Sequence, residues 1–338
     1  MKRWRSLAGV LSCGVLSCGV LLLTGCGTQT GAGGPTAGSK DKIVVGVTNI
    51  TMKESVYQFM KTAAENKAKE LGVEVMWQSS ELDPSAQMNQ VQNFIAQKVN
   101  AIVIEPADPH AAKQQVMLAK QAGIPVINLE GLIEGAKTDL RIVGDSVKVG
   151  EAQVESFVQE WGDKPANVVI LSGTKGDEVA ESITKGNQNI IGKHANLNVV
   201  GSQYHTNWDK QLAMNTMENL LVKYKNDIQV VFANNDGMIA GAMKAAENAG
   251  VKDKIIFYGA DNDKSTVEAI LKGDPVRTID KGAVLQGERV VEGAVKLAKG
   301  EKPPSDQVID DIPVWYTPIT IVDKDHLEAA KQKFPELF

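Results

Sequence analysis

Two short segments decide the fold: Ala101-Ile-Val-Ile-Glu-Pro-Ala-Asp108 and Val230-Val-Phe-Ala-Asn-Asn-Asp236. Each contains four apolar residues and then a polar loop, and each follows a segment with helical periodicity, which in the first case is Ser85–Gln97. An apolar strand between two helices, without polar alternation, is typical of a parallel sheet covered on both faces. The repeat therefore predicts an α/β protein with two similarly wound halves.

The same alternation of apolar runs and amphipathic segments continues through the chain. Strands are predicted at Ile43–Val47, Val73–Trp77, Ala101–Ile104, Val126–Leu129, Val168–Leu171, Val199–Gln203, Gln229–Phe232, Ile255–Tyr258 and Val276–Ile279. Right-handed βαβ crossovers join such strands into doubly wound sheets. Residues 41–338 are too many for one small domain, so we predict an α/β fold of two doubly wound, Rossmann-like lobes.

The N-terminus has the features of a bacterial lipoprotein signal. A basic start precedes a largely apolar run from Leu7 to Leu23, which ends in Leu23-Thr-Gly-Cys26. We expect a signal peptide over residues 1–25 and lipidation of Cys26, with Cys18 as a poorer candidate. A transmembrane helix is the weaker interpretation, because the run is short and interrupted by glycine. Residues 26–40 lack large apolar side chains and predict a flexible tether behind the lipid anchor.

Cysteine content and charge exclude several function classes. The chain's 3 cysteines all lie within residues 1–26, so the globular part has no cysteine for a disulfide, a thiolate nucleophile or a metal site. The chain has 36 basic and 41 acidic residues, and removing residues 1–25 deletes three basic residues and no acidic one. The mature chain is therefore acidic, which argues against nucleic acid as a partner.

Several predicted strands end in polar residues that suit hydrogen bonds to sugar hydroxyls. These residues are Glu105, Asp108, Glu130, Asp145, Asn235, Asp236 and Asp261. Trp208 directly follows a strand, where its ring could stack on a sugar. Simpler roles stay open: Asp108, Asp145 and Asp236 precede helices and suit N-caps, and Trp208 suits the core.

The sequence lacks the signatures of an enzyme. There is no Gly-x-Gly-x-x-Gly after the first strand and no phosphate-binding loop, and the four histidines lack metal-type spacing. Asp261-Asn-Asp263 and Asp323-Lys-Asp325 begin like calcium loops but lack the glycine and closing glutamate, so they are interpreted as solvated turns. We therefore expect no catalytic residues, no metal and no cofactor.

Residues 41–325 resemble the periplasmic sugar-binding proteins of the ribose and xylose type, which serve ATP-binding-cassette importers. The resemblance is carried by Lys42–Val47, Gly123–Glu130, Val143–Ser146, Trp208-Asp209, Val230–Asp236, Gly259–Asp261, Lys281 and Asp311–Ile319. It implies a type I periplasmic binding protein fold with three hinge crossings, near residues 143–145, 280–283 and 312–314. The first lobe would contain residues 41–144 and 282–312, and the second lobe residues 145–281 and 313–338.

The resemblance also implies where the ligand contacts lie. The implied positions are Glu130, Trp208, Asn235, Asp261 and Lys281, with Asp145 at the hinge edge of the cleft and first-lobe side chains between Asn49 and Tyr57, among them Glu54. Two departures change the expected preference. Gly131 stands where the family has an arginine, and Glu181, beside Glu178, stands near a second expected cation. Fewer cations and more carboxylates favour a neutral polyol or an amino sugar over an acidic sugar.

These observations lead to one functional hypothesis and its rivals. We expect a monomeric, lipid-anchored protein on the extracytoplasmic face of a bacterial membrane, which binds a xylose-like or ribose-like monosaccharide by lobe closure and delivers it to the permease and ATPase subunits of an importer. A sensor that presents the same closed form to a histidine kinase or chemoreceptor is the rival from another class. An enzyme on this fold is disfavoured, because no nucleophile–base constellation is present.

Overall fold

The structure is a computed structural model that describes residues 42–338. Cys26, the predicted signal peptide and the predicted tether fall outside these residues. The helices are α1 (Ser55–Leu71), α2 (Pro84–Ala96), α3 (Ala111–Gln121), α4 (Ser146–Trp161), α5 (Glu178–Ile191), α6 (Lys210–Lys223), α7 (Asp236–Asn248), α8 (Lys264–Lys272), α9 (Ala283–Ala298) and α10 (Glu328–Lys333). None of the helices in this part of the chain is long and apolar enough to cross a membrane.

The strands form two sheets. They are β1 (Val44–Asn49), β2 (Glu74–Ser79), β3 (Ala101–Ile104), β4 (Val126–Leu129), β5 (Leu140–Gly144), β6 (Ala166–Ser172), β7 (Leu197–Tyr204), β8 (Val230–Ala233), β9 (Ile256–Ala260), β10 (Val276–Asp280), β11 (Gln307–Ile309), β12 (Ile312–Thr317) and β13 (Thr320–Val322). The first sheet has the order β11-β12-β5-β4-β3-β1-β2, and the second has the order β13-β10-β9-β8-β6-β7. Only the pairings of β11 and β13 are antiparallel.

The two sheets are wound in the same way. In the first sheet β3 lies between β1 and β4, and in the second β8 lies between β6 and β9. Both strands are buried along their whole length, which explains why their sequences are apolar without alternation. Helices cover both faces of each sheet, with separate core clusters on the two faces. The predicted two-lobed, doubly wound α/β fold is confirmed.

Local sequence signals account for the ends of many helices. Asp83, Asp177 and Asp209 cap α2, α5 and α6 by accepting hydrogen bonds from backbone N–H groups of the first turn. Gly72 ends α1 in the left-handed conformation, with φ of 68°. Such caps satisfy backbone groups that the helix itself leaves without partners, so the breaks between strand and helix are largely encoded locally.

The chain passes between the lobes three times. It does so between β5 and α4, between β10 and α9, and between β12 and β13. The third passage differs from the expectation of 312–314, because Val314 pairs with Arg141 and the whole of β12 joins the first sheet. The chain therefore enters the second sheet only after Thr317. Residues 313–317, which the sequence analysis assigned to the second lobe, belong with the first.

Candidate functional site

Three charged side chains meet where strands of both lobes end. Glu130 follows β4 of the first lobe, Asp261 follows β9 of the second, and Lys281 lies in the passage between β10 and α9. The Lys281 ammonium is 2.9 Å from Asp261 Oδ1 and 3.8 Å from Glu130 Oε2. All three side chains are largely buried, with exposed fractions of 12%, 14% and 8% for Lys281, Asp261 and Glu130. This carboxylate–ammonium–carboxylate cluster joins the two lobes.

The charge of Lys281 depends on its two partners. Burial alone would lower its pKa, but the carboxylates of Asp261 and then Glu130 raise it by more, so the pKa lies above its ordinary value. Lys281 therefore stays protonated throughout the physiological range. An ammonium held in this way offers hydrogen-bond donors at a fixed place between carboxylate acceptors.

The backbone at this cluster adopts conformations that side chains normally avoid. Glu130 has φ of 53° and Asp261 has φ of 104°, and Asn262 and Trp208 also have positive φ values of 55° and 56°. Each non-glycine residue in this region costs about 1–2 kcal/mol and persists only where its surroundings enforce it. The surrounding structure therefore enforces the backbone conformation at these two strand ends.

Glu130 is fixed by hydrogen bonds from its own lobe. Its Oε1 accepts from Gln286 Nε2 of α9 and, at 3.3 Å, from the backbone N–H of Gly144. Its backbone N–H donates to Ile142 O at 2.9 Å. Its other carboxylate oxygen therefore remains directed at Lys281, as a preorganised acceptor in the cleft.

The first lobe adds a second buried carboxyl, Glu105, at the end of β3. Tyr57 donates to Glu105 Oε1 at 2.8 Å, and the backbone N–H of Ile50 donates to Oε2 at 3.3 Å. Burial raises the pKa of Glu105 to about 8, and the Tyr57 hydrogen bond offsets only part of that rise. Glu105 was noted as a strand-end acid, but its partner Tyr57 cannot be read from the sequence.

An acidic rim crosses from one lobe to the other. Ser55 of α1 donates to Asp263 Oδ1 at 2.5 Å, which bridges the lobes directly. Glu54 is exposed, yet partial burial of its carboxyl, followed by repulsion from Asp263 and Asp261, raises its pKa. Burial, and then the Asp261 charge, also raises the pKa of Asp263. Glu54 therefore lies near the second-lobe acids.

The stretch 261–263 is not the solvated turn expected from its sequence. Asn262 is fully buried and donates to Asp280 Oδ2 at 2.6 Å. Asp236 Oδ2 accepts from the Asp263 backbone N–H at 2.8 Å and from Thr278 at 3.0 Å. Asp236 therefore braces this loop instead of capping α7, a role that Asn235 takes. Burial, and then repulsion from Asp263, raises the pKa of Asp236 well above its usual range.

Two of the predicted site residues are helix caps. Asp145 Oδ1 accepts from the Lys148 backbone N–H at 3.2 Å, and Asn235 Oδ1 accepts from Met238 N–H at 2.9 Å. Asn235 is almost buried, and the side-chain amide nitrogen that capping does not use makes no hydrogen bond within residues 42–338. Capping therefore uses the side-chain oxygen of Asn235 and leaves its amide nitrogen as a donor.

Two other predicted residues form no hydrogen bond or ion pair with Glu130, Asp261 or Lys281 within residues 42–338. Glu181 is exposed, and its carboxylate accepts from Tyr204 at 2.5 Å and from the Gly176 backbone N–H at 3.1 Å. The Trp208 ring is half-buried against Gly173, where an added Cβ would lie 2.5 Å from the ring, and it packs on two core clusters. The core-packing alternative for Trp208 therefore holds for at least part of its surface.

The arrangement favours recognition over chemistry. Within residues 42–338 no group of three His, Asp or Glu side chains has the geometry of a metal site. His205 is buried, and its ring nitrogens contact Ser172 O and Thr216 Oγ1 at 3.0 Å, away from any carboxylate of the cluster. Fixed carboxylates and one ammonium can accept from and donate to several hydroxyl groups at once.

Comparison with known proteins agrees with this geometry. The periplasmic binding protein domain matches residues 45–302. The chain belongs to this family. Its relatives include the D-xylose-binding periplasmic protein of Haemophilus influenzae, which is 29% identical over 87% of this chain and 90% of that protein. The ribose import binding protein of Bacillus subtilis is 30% identical over 83% of this chain and 90% of the relative.

A solved structure extends the range of ligands among similar proteins. The solute-binding protein of an ABC transporter from Bacillus halodurans, solved with bound myo-inositol, has a TM-score of 0.76 and 29% identity. The match covers 88% of this chain and 99% of that one. These relatives are binding proteins and not enzymes, which confirms the expectation that this periplasmic binding protein has no catalytic activity.

Proposed function

We propose that this chain is the substrate-binding subunit of an ABC-type importer and that it binds a monosaccharide of the xylose or ribose kind between its two lobes. The observation that carries the proposal is the buried cluster of Glu130, Lys281 and Asp261, which draws one strand end from each lobe and one hinge passage to a single point. A ligand that contacts both strand ends stabilises the closed form by its differential affinity.

The chemistry of the cluster supports a polyhydroxylated ligand. A carboxylate can accept hydrogen bonds from two vicinal hydroxyl groups, and an ammonium can donate to a ring or hydroxyl oxygen. Asn235 adds an amide donor at the neighbouring strand end. Relatives named for D-xylose and ribose, and a similar structure with myo-inositol, have ligands of this class.

A second candidate ligand class is a neutral polyol or an amino sugar. It is favoured by the carboxyl groups of Glu105, Glu130, Asp261 and Asp263, which outnumber the two cations that act on them, Lys281 and Lys333. Gly131 contributes no cation beside Glu130. An acidic sugar would bring a further negative charge into this partly buried site, beside carboxyl groups whose pKa values are already raised.

Calorimetry against a defined panel tests the ligand class. The panel contains D-xylose, D-ribose, myo-inositol, glucosamine and glucuronate, and we expect binding of at least one of the first four and none of glucuronate. Small-angle scattering with the strongest ligand should show a smaller radius of gyration. Asp261→Asn should weaken binding, whereas Asp310→Asn, in an exposed turn of the first lobe, should not. Tight binding of glucuronate, or an unchanged radius at saturation, contradicts the proposal.

We also propose that the protein is a lipoprotein anchored through Cys26 at the extracytoplasmic membrane face, as a monomer. Cys26→Ala should abolish lipidation and stable membrane association, and Cys18→Ala is the matched control. Partition of the Cys26→Ala protein with membranes would assign the anchor elsewhere. Co-purification with a permease and an ATPase supports import, whereas co-purification with a histidine kinase or chemoreceptor supports sensing.

A further inference from the structure

Glu130 and Asp261 occupy equivalent places in the two lobes. Glu130 follows β4, Asp261 follows β9, and the two strands hold the same position in their sheets. Both residues have positive φ. A buried cation contacts the backbone carbonyl oxygen of each one, and neither cation is a predicted ligand contact. These two cations are Arg141 and Lys333.

Arg141 holds the carbonyl of Glu130. Its Nε and Nη2 donate to Glu130 O at 3.2 and 2.9 Å. The same Nη2 reaches across to the second lobe and donates to Glu178 Oε2 at 2.5 Å. The side chain of Arg141 is 11% exposed and that of Glu178 is 35% exposed, so the contact with the Glu130 carbonyl is the better shielded of the two. A guanidinium can hold a carbonyl and a carboxylate together because its donors are fixed in one plane.

Lys333 holds the carbonyl of Asp261 in the corresponding way. Its ammonium donates to Asp261 O at 2.6 Å and lies 3.3 Å from Asp280 Oδ2. It also lies 5.8 Å from the centre of the Phe59 ring, which belongs to α1 of the first lobe. Phe59 packs edge-on against Phe334 with ring centres 4.8 Å apart. The side chain of Lys333 is only 2% exposed.

We propose that Arg141 and Lys333 are paired positioning residues, which hold the strained backbone of Glu130 and Asp261 in the binding geometry and couple it to lobe closure. Each cation binds a carbonyl of its own lobe and touches the other lobe, through Glu178 or Phe59. Opening the lobes separates each cation from Glu178 or Phe59 but keeps its hydrogen bond to the carbonyl oxygen of its own lobe. The backbone at Glu130 and Asp261 is therefore better ordered when the cleft is closed. This inference rests on the proposed binding role of the two acids.

Charge-assisted hydrogen bonds suit this task. They are stronger than neutral ones, and in a shielded site they oppose the return of a strained residue to an ordinary φ. A buried lysine is otherwise unfavourable, and the acceptors around Lys333 account for its burial without any contact to solvent. Neither cation needs to touch the ligand.

Hydrogen exchange of the ligand-free protein tests the proposal without any ligand. Lys333→Met should speed exchange in peptides spanning residues 260–264 by about tenfold and leave residues 129–132 unchanged. Arg141→Gln should speed exchange in residues 129–132 to a similar extent and leave residues 260–264 unchanged. Arg141→Lys, which keeps the charge but loses the planar fork, should fall in between. Lys331→Met on the same helix and Arg277→Gln, whose partner Glu160 lies on the same lobe, are the controls. The proposal is overturned if exchange becomes faster throughout a whole lobe, or if the variants exchange at the same rate as the parent.

Affinity provides the second measurement, with the strongest binder among D-xylose, D-ribose and myo-inositol as the probe. Lys333→Met should weaken binding by about tenfold, and it should have no further effect in an Asp261→Ala background, because both changes act through the same carboxylate. Full additivity contradicts the positioning role. If Lys333→Met alone does not fold, Lys333→Met with Asp280→Asn removes both charges and carries the same tests. If no probe binds the parent, the proposed ligand class fails, and the exchange experiment still decides this inference.

Discussion

Replacing Lys281 with methionine should destabilise the ligand-free protein by about 3–5 kcal/mol at neutral pH. The change keeps most of the apolar stem and removes the ammonium between Asp261 and Glu130. At an effective dielectric constant of about 20, attractions across 2.9 and 3.8 Å are worth roughly 6 and 4 kcal/mol. Folding of the parent removes the lysine charge from water at a cost of several kcal/mol, and the variant avoids this cost. The net destabilisation is therefore smaller than the sum of the two attractions, at about 3–5 kcal/mol.

The pH dependence of this loss separates a charge effect from a packing effect. In Lys281→Met the two carboxylates remain buried without their cation, so the folded variant gains by taking up protons. Its free energy of unfolding should therefore rise relative to the parent as the pH falls from about 8 to about 5. A packing defect would give a deficit that does not change with pH.

Urea unfolding at several pH values measures both quantities. Lys148→Met is the matched control, because Lys148 forms an exposed pair with Asp145 at 3.0 Å, and such pairs contribute about 0–1 kcal/mol. Adding Glu130→Gln to Lys281→Met should recover part of the stability by removing one uncompensated charge. A deficit below about 1 kcal/mol, or one that is constant with pH, would refute the electrostatic account of this cluster.

Three further predictions concern affinity, pH and packing. In calorimetry, Asp261→Ala should weaken binding of the strongest panel sugar by one to two orders of magnitude, which corresponds to about 1–3 kcal/mol. Trp208→Ala should remove most of any ligand-induced change in tryptophan fluorescence. Burial raises the pKa of Glu105 from 4.5 to about 8, so between these pH values the folded state holds a proton that the unfolded chain releases. The free energy of unfolding should therefore fall as the pH rises from about 4.5 to about 8. In urea titrations Glu105→Gln should make this pH dependence smaller. Gly150→Ala should lower the melting temperature, because an added Cβ would lie 1.9 Å from Ile183 O, whereas Gly237→Ala, with 3.5 Å of space, should not.

The sequence predicts many element bounds closely, because helix caps and apolar runs are local signals. The helix expected at Ser85–Gln97 spans Pro84–Ala96 in the structure, and the strands Ala101–Ile104 and Val126–Leu129 have the expected bounds. The strand predictions omitted β5 and β12, and they also omitted the edge strands β11 and β13. Each of these two edge strands is 3 residues long and pairs on one side only, so neither contains the buried run that identifies a central strand.

The candidate site also contains some residues that the sequence could predict and others that it could not. Glu130 and Asp261 could be proposed because each follows a strand, and the carboxyl ends of parallel strands share one edge of a sheet. Lys281 was proposed only because the resemblance to the sugar-binding family implies it. Glu181 was proposed because it stands near a cation that the resemblance implies, but its carboxylate contacts Tyr204 at 2.5 Å instead of the cluster. Which side of the first helical turn faces the cleft depends on packing, and the sequence does not contain that information.

Sequence alone determines the α/β class, the doubled winding and the polar strand ends of this protein, since these follow from periodicity and residue type over short distances. Tertiary structure alone decides which charges meet. Lys333 lies 72 residues beyond Asp261 and holds its carbonyl, and Ser55 reaches Asp263 across 208 residues. Such contacts depend on how two lobes and a C-terminal helix pack together. Burial then sets the charge state of each group, because removal from water determines what a carboxylate or an ammonium requires from its neighbours.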